Sequence, residues 1–302
     1  MRVVVAGSTG LLGSALVPAL RDAGHEVVRL VRRTPSAEDE RAWDPPAGDI
    51  GAGALDGADA VVNLCGAGIA DRRWTQARKQ VLLDSRVTPT EVLAAAVAER
   101  GIGVLVNGSG IDYYGDTGDV TVDESFPPGK GFLPELCAEW ERASAAASEA
   151  GARVVLMRTS PVMSGAGGLL AQIKPIFQFC LGGRLGDGRQ YMPWISLDDQ
   201  IGAIRFALED ERLAGAANFT APHPVTNIEF TKELAKAMDR PAPWLVPGFV
   251  LRLMLGQFAD EGILAGQRAV PAALEAAGYE FRHPTLDAAL RAALGTGATA
   301  RG

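Results

Sequence analysis

The residues able to do chemistry begin at the amino end. The stretch "VAGSTGLLGS", Val5 to Ser14, sets Gly7, Gly10 and Gly13 at intervals of three behind a short apolar run. Each glycine has its own task in a turn that cradles phosphate. Gly7 permits the tight turn, Gly10 lets backbone approach a pyrophosphate, and Gly13 lets the next helix pack on the strand. The start of that helix offers unpaired N–H groups and a partial positive charge to an anion. Three glycines could serve a tight turn alone; the strand before and the helix after turn the reading toward a dinucleotide. The contacts expected of this turn come from Gly7, Thr9, Gly10, Leu11, Leu12 and Gly13.

A second candidate set lies at the end of the next strand, "VRLVRRTPS". An NAD site usually places an acid there to accept from the adenosine ribose 2′-OH. Arg32 and Arg33 stand there instead. A carboxylate repels a 2′-phosphate, whereas a guanidinium binds it bidentately, so NADP(H) is the expected cofactor. The bland alternative is a solvated loop charge, and at least one of the two arginines is assigned to the phosphate. A third set is "VVNLCGAG", where Asn63, Leu64, Cys65 and Gly66 end another strand. Small residues from Cys65 to Ala67 let backbone approach the cofactor's central part. An ordinary strand-to-helix turn explains them equally well.

These sets need a scaffold, and the hydrophobic pattern supplies one. Strands are predicted at Arg2–Ala6, Glu26–Val31, Asp59–Leu64, Gly103–Ser109 and Arg153–Thr159, with a shorter one at Arg41–Trp43. Helices are predicted near Leu11–Ala23, Thr75–Glu99 and Leu133–Ala150, the first stopping at Gly24. This alternation implies an α/β fold, a Rossmann-type doubly wound parallel sheet. Beyond about residue 160 the rhythm changes to Gly-rich loops and then to frequent proline. The domain expectation is 1–245 for the nucleotide-binding domain with substrate-side insertions from about 160. A smaller, mainly helical C-terminal lobe follows over 246–294, with a flexible tail at 295–302.

Composition narrows the function classes. The chain has 302 residues, a net charge of −7 and a charged fraction of 22%, which give no footprint for nucleic acid or an acidic membrane. Arginine outnumbers lysine 24 to five, a bias better explained by coding composition than by function. Three scattered cysteines and three scattered histidines show no metal-ligand spacing, so no metal site is expected, and a reducing cytoplasm fits. The apolar stretch "PWLVPGFVLRLMLG" is cut by Pro247, Gly248 and Arg252 and is too short to span a bilayer.

Further motifs carry a family resemblance. The three-by-three glycine spacing resembles the short-chain dehydrogenases/reductases, and Asn63-Leu64-Cys65-Gly66 resembles their Asn-x-Ala-Gly element with cysteine for alanine. "RRWTQARKQVLLDSR", "GSGIDYYGD", "LCAEWERA", "GDGRQYMPWISLDD", "NFTAPHPVTNIEF", "RPAPWLVPGFVLRLMLG" and "GQRAVPAALEAAGYEF" follow in order. Together they resemble an atypical, extended-like branch of that superfamily, the epimerase family proteins with a small C-terminal domain. The resemblance spans nearly all of residues 1–294 and implies NADP(H) binding. It further implies that Ser85, Pro161 and Val162 neighbour the cofactor. Arg184 and Arg189 stand in loops that face substrate phosphate in sugar-nucleotide epimerases, which makes an anionic small-molecule substrate conceivable. Solvent-exposed loop charge explains the same two arginines.

The superfamily's usual catalysis uses Tyr-x-x-x-Lys, in which the ammonium favours the phenolate. Four positions after Tyr113, Tyr114, Tyr191 and Tyr279 stand Thr117, Gly118, Ile195 and His283, so the pair is missing. Aligning the helix on Glu141 puts Leu133 and Cys137 in its places. Ser109 and Tyr114 are the remaining candidates for a substitute proton relay, with Tyr114 also read as a structural support of its loop. Two readings follow: an oxidoreductase or epimerase of unusual mechanism, or a non-catalytic NADP(H)-binding redox sensor or interaction module. The sequence leaves the substrate and the oligomeric state open.

Overall fold

The computed structural model describes residues 1–295, so positions 296–302 of the expected tail lie outside the described residues. The central sheet has eight strands: β1 (Arg2–Ala6), β2 (Glu26–Val31), β3 (Glu40–Asp44), β4 (Asp49–Ile50), β5 (Ala60–Asn63), β6 (Val104–Gly110), β7 (Arg153–Thr159) and β8 (Gly215–Phe219). Their spatial order is β8-β7-β6-β5-β1-β2-β3-β4. β1 pairs in parallel with both β2 and β5, β2 with β3, and β5 with β6. The two-residue β4 runs antiparallel against β3. The chain leaves β1 outward to β2 and β3, then returns to β5 and β6 on its other side. That reversal opens a crevice at the carboxyl ends of β1 and β5, where such sheets bind ligands. The fold is α/β and Rossmann-like.

The strand sequences follow from burial on both faces. Val3, Val4, Val5 and Ala6 are wholly inaccessible, so β1 reads as a continuous apolar run without alternation. Helix α1 (Leu11–Asp22) buries Leu16, Val17 and Leu20 and is followed by Gly24 at φ +84°. Helix α2 (Gln76–Arg100) starts where Thr75 accepts a bond from the Arg78 N–H and stops at Gly101, φ +64°. Its Leu93, Ala94 and Val97 pack with Val4, Val61 and Leu105. Each fully buried leucine of this kind contributes ~1.5–3 kcal/mol of transfer free energy.

Where one helix is expected over Leu133–Ala150, the structure has two, α3 (Phe132–Arg142) and α4 (Ala145–Glu149). The Ser144 hydroxyl donates to the Glu141 carbonyl at 2.7 Å, a local side-chain bond that competes with helix continuation. Strand β5 is shorter than expected. Asp59, just before it, accepts the Arg2 backbone N–H through its carboxylate at 2.6 Å.

The chain forms two compact units that interleave along the sequence. The first comprises residues 1–109, 136–157 and 201–217, and holds β1 to β5, α1 and α2. The second comprises 110–135, 158–200 and 218–302. Its described part holds α5 (Gly168–Gln178), α7 (Asn227–Met238), α8 (Gly248–Leu255), α9 (Ala272–Ala277) and α10 (Leu286–Leu294), while α6 (Leu197–Glu209) begins in the second unit and ends in the first. The second unit has a core of its own, in which Trp194, Phe230, Leu234 and Leu290 are buried together. Helix α7 opens with a capping box between Thr226 and Glu229.

Candidate functional site

A cleft of about 1010 Å³ opens in the first unit over the β1–α1 turn. Its floor is the glycine turn, and the three glycines fill different needs. At Gly7, φ is +81° and a Cβ would stand 2.8 Å from the Leu64 carbonyl carbon. At Gly13 a Cβ would meet the Gly7 carbonyl oxygen at 2.3 Å, so α1 can lie on the turn only without a side chain there. Gly10 borders open space, its nearest neighbour being the Gly7 oxygen at 3.6 Å from a built Cβ. Gly10 caps α1 with no side-chain bond, and the first turn carries no acid. The Leu11, Leu12 and Gly13 N–H groups therefore have no intrahelical acceptor, and nothing in that turn opposes an anion. Ser8 is buried against the same cleft and its Oγ has no hydrogen-bond partner.

The two arginines at the end of β2 differ. Arg33 grips Glu40 with both arms, Nη2 to Oε1 at 2.6 Å and Nη1 to Oε2 at 2.8 Å. The Ser36 backbone N–H adds a bond to Glu40 Oε2 at 2.7 Å. Arg33 first, and the Ser36 N–H second, hold the Glu40 carboxyl down at about 2. Arg29 is likewise committed, to Asp39. Arg32 is exposed on the cleft wall with no hydrogen bond or ion pair to any described residue. It is the open cation of the site. Its charge tends to lower the neighbouring Cys65 thiol, but burial dominates and pushes that thiol up to about 12. Cys65 is thus a small wall residue without thiolate character.

The far wall comes from β5 and α2. Leu64, Gly66, Ala67 and Ser85 line it, and the Ala67 N–H donates to Ser85 Oγ at 3.0 Å. Behind it lies a closed polar network. Asn63 Nδ2 donates to Thr90 Oγ1 (2.9 Å) and Asn107 Oδ1 (2.8 Å), and Trp140 Nε1 donates to Thr90 Oγ1 (3.0 Å). Asn63 Oδ1 accepts the Cys65 N–H at 3.1 Å. Arg86, stacked 5.1 Å over the Trp140 ring, donates to the Ala67 carbonyl at 2.9 Å. Wholly buried and fully engaged, Asn63 shapes the wall from behind.

The expected cofactor set thus divides. Gly7, Thr9, Gly10, Arg32, Arg33, Leu64, Cys65, Gly66 and Ser85 share the cleft. Leu11, Leu12 and Gly13 bear on it through backbone. Pro161 and Val162 belong to the second unit, where the Pro161 carbonyl accepts the Ile195 N–H at 3.1 Å. Sequence reasoning missed Trp43, Pro45 and Pro46 as cleft lining. The signal for them was "AWDPPAG", an aromatic near the end of the short third strand and two prolines straight after it.

The candidate catalytic residues sit in contrasting settings. Ser109, at the carboxyl end of β6 in the first unit, donates its hydroxyl to Glu141 Oε1 at 2.7 Å. Glu141, used in the sequence only to align the helix, therefore serves a buried hydroxyl. In the second unit, Tyr114 is 2% exposed and bonded on both sides. Its hydroxyl donates to Asn218 Oδ1 at 2.7 Å and accepts from Arg158 Nη1 at 2.9 Å. Burial is the main cause that pushes its phenol up to about 12, against the opposing pull of Arg158. Leu133 has no proton to give, and Cys137, like Leu133, is buried. Arg184 and Arg189 are both exposed in the second unit, but only Arg189 lies in a loop as expected; Arg184 stands in the short strand Gly183–Leu185, paired with Leu245. Among the described residues, no cluster of His, Cys, Asp and Glu is placed to hold a metal ion, and no helix is long and apolar enough to cross a membrane.

Comparison with known proteins agrees with this geometry. Residues 3–219 match the NAD dependent epimerase/dehydratase family, and residues 246–293 match a domain of unknown function. An epimerase family protein of Mycobacterium bovis is 53% identical over 288 residues, covering 95% of this chain and 96% of its own. The crystal structure of human epimerase family protein SDR39U1 (isoform 2) with NADPH superposes with a TM-score of 0.89 at 33% identity, covering 97% of this chain and 99% of that one. The Thermus thermophilus UDP-glucose 4-epimerase complex with NAD shares the fold, with a TM-score of 0.78 at 19% identity, covering 99% and 100% of the two chains.

Proposed function

The chain belongs to the NAD dependent epimerase/dehydratase family, and from that premise we propose that it binds NADP(H) and acts as an oxidoreductase or epimerase on a small molecule. One observation carries the cofactor choice: Arg32 stands open at the cleft while Arg33 is neutralised by Glu40. The 2′-phosphate falls to Arg32, the pyrophosphate to the bare start of α1, and the ribose and adenine to the walls around Trp43 and Pro45. The NADPH bound to the human relative supports this reading.

When bound, the nicotinamide supplies or accepts hydride. The chain's own contribution is proton handling at Ser109, whose hydroxyl already donates to Glu141 at 2.7 Å. A substrate hydroxyl that bonds Ser109 Oγ can pass its proton toward the Glu141 carboxylate, which takes the role of the missing tyrosine. Tyr114 is left to hold its loop. Arg184 and Arg189 make an anionic substrate suitable. The reading needs neither nucleic acid nor a membrane, and it places the protein in the cytoplasm.

A second reading, a non-catalytic NADP(H)-binding redox sensor or interaction module, is favoured by the double engagement of Tyr114 and the apolar residues at positions 133 and 137. Turnover across carbonyl compounds and sugar nucleotides separates the two. The enzyme reading expects activity that Ser109→Ala and Glu141→Gln each lower by ~10²-fold or more with NADPH affinity kept. Tight NADPH binding with no turnover on any compound selects the sensor.

A further inference from the structure

We propose that the second unit carries a homodimer surface, formed by the end of α5, the segment 244–246 and helix α8. This inference stands independently of the cofactor reading. Large apolar side chains exposed elsewhere in the described chain are scattered singly, such as Val81 and Val120, and call for no explanation. Here they gather. Phe179 is 76% exposed and Leu181 59%, directly after α5. Trp244 is 57% exposed, and on α8 Phe249, Leu253 and Met254 are 69%, 74% and 65% exposed.

The two segments are fastened together. Gly183–Leu185 pairs in parallel with Trp244–Val246. The Trp244 indole N–H donates to the Cys180 carbonyl at 2.8 Å, which fixes a tryptophan ring in an exposed position. Gly183 accommodates it, since a Cβ there would stand 2.1 Å from the Trp244 carbonyl oxygen. Helix α8 starts two residues after this pairing and rises only ~12 Å, so its apolar residues stay near. Phe249 and Leu253, four apart, share one side of α8, while Leu251 turns inward and is buried.

Area and charge select the occupant. With Ile176 and Leu245, also exposed, these side chains present on the order of 1,000 Å². That summed exposure is comparable to the ~800 Å² per partner that a standard interface needs. Tryptophan, phenylalanine and methionine are also the side chains enriched at such interfaces. The one charge on α8, Arg252, is paired with Asp260 of the same chain at 2.7 Å, so a second copy meets no uncompensated charge from that helix. A two-fold axis would bring the same patch from each copy together.

The test is the solution mass of the full chain by analytical ultracentrifugation, from nanomolar to ~100 μM. The wild type is expected to sediment as a dimer. Phe249→Glu with Leu253→Glu should weaken association at least ~100-fold, with the far-UV circular dichroism spectrum and NADPH affinity unchanged. Trp244→Ala, milder toward the fold, should weaken it by ~10-fold or more. A wild type that stays monomeric throughout, or a dimer that survives all these substitutions, overturns the proposal. So does a monomer that floats with phosphatidylcholine vesicles and loses this on Phe249→Glu, since the patch then serves a membrane.

Discussion

The cofactor cleft and the surroundings of Tyr114 are both rich in polar side chains, yet they are finished differently. Around Tyr114 the hydroxyl gives and takes one bond, Asn218 Nδ2 donates to the Val270 carbonyl, and Arg158 stacks 3.5 Å from the Tyr113 ring centre. In the cleft, Ser8 Oγ has no partner, Arg32 has no carboxylate, and the start of α1 is uncapped. A folded chain normally satisfies its buried polar groups. Unpaired buried atoms also occur elsewhere, at Gln200 for example. In the cleft, however, one stands beside an open cation and an uncapped helix start, which is a setting suited to phosphate. The closed network around Tyr114 suits support.

That contrast can be broken most severely at Gly13. Gly13→Ala drives a Cβ to 2.3 Å from the Gly7 carbonyl, so α1 must lift from the turn. NADPH affinity should fall by ~100-fold or more, as read by fluorescence titration, because the phosphate-binding N–H groups move with the helix. Retained affinity would mean that the turn does not hold the phosphates.

Tyr114→Phe tests the opposite side. It strips Asn218 Oδ1 of its donor and Arg158 of an acceptor, both in a buried setting. Stability should drop by ~1–3 kcal/mol in urea unfolding while NADPH affinity stays at the wild-type value. A loss of turnover greater than the loss of folded protein would restore Tyr114 to the chemistry.

A smaller effect lies in the Arg33–Glu40 pair. The Glu40 carboxyl is held at about 2 against an ordinary 4.5, so it binds fewer protons folded than unfolded. Its contribution to stability is present above about 4.5 and is lost as pH falls from there toward 2. Asp39, held at about 2 chiefly by its bond to Arg29, acts in the same direction. Glu40→Gln should flatten that part of the acid-unfolding profile, measured by circular dichroism. An unchanged profile would remove Glu40 from the account.

The sequence made the scaffold legible because its signals are local. The apolar run of β1, the glycine spacing and the stop at Gly24 each depend on neighbours within a few residues. The roles of Arg32 and Arg33 were legible only jointly. What separates them is Glu40, which the pairing of Arg29 with Glu40 across β2 and β3 brings alongside. Ser109 was legible as a candidate, but its bond to Glu141 was beyond reach for the same reason, the two being 32 residues apart and joined only by the packing of α3. Leu133 and Cys137 showed that the usual pair is missing, but no local pattern says what replaces it. The break at Ser144 was hidden because alanine and glutamate around it favour helix on either side.

The most direct test of the central claim compares NADPH and NADH affinities for the wild type, Arg32→Ala and Arg33→Ala. An open guanidinium at the 2′-phosphate contributes ~1.5–3 kcal/mol, so Arg32→Ala should lose ~10–100-fold in NADPH affinity and almost nothing for NADH. Arg33→Ala should change the NADPH-to-NADH ratio by less than ~3-fold, because its guanidinium is already spent on Glu40. Equal affinity of the wild type for the two cofactors, or a larger loss of selectivity at Arg33 than at Arg32, would contradict the account.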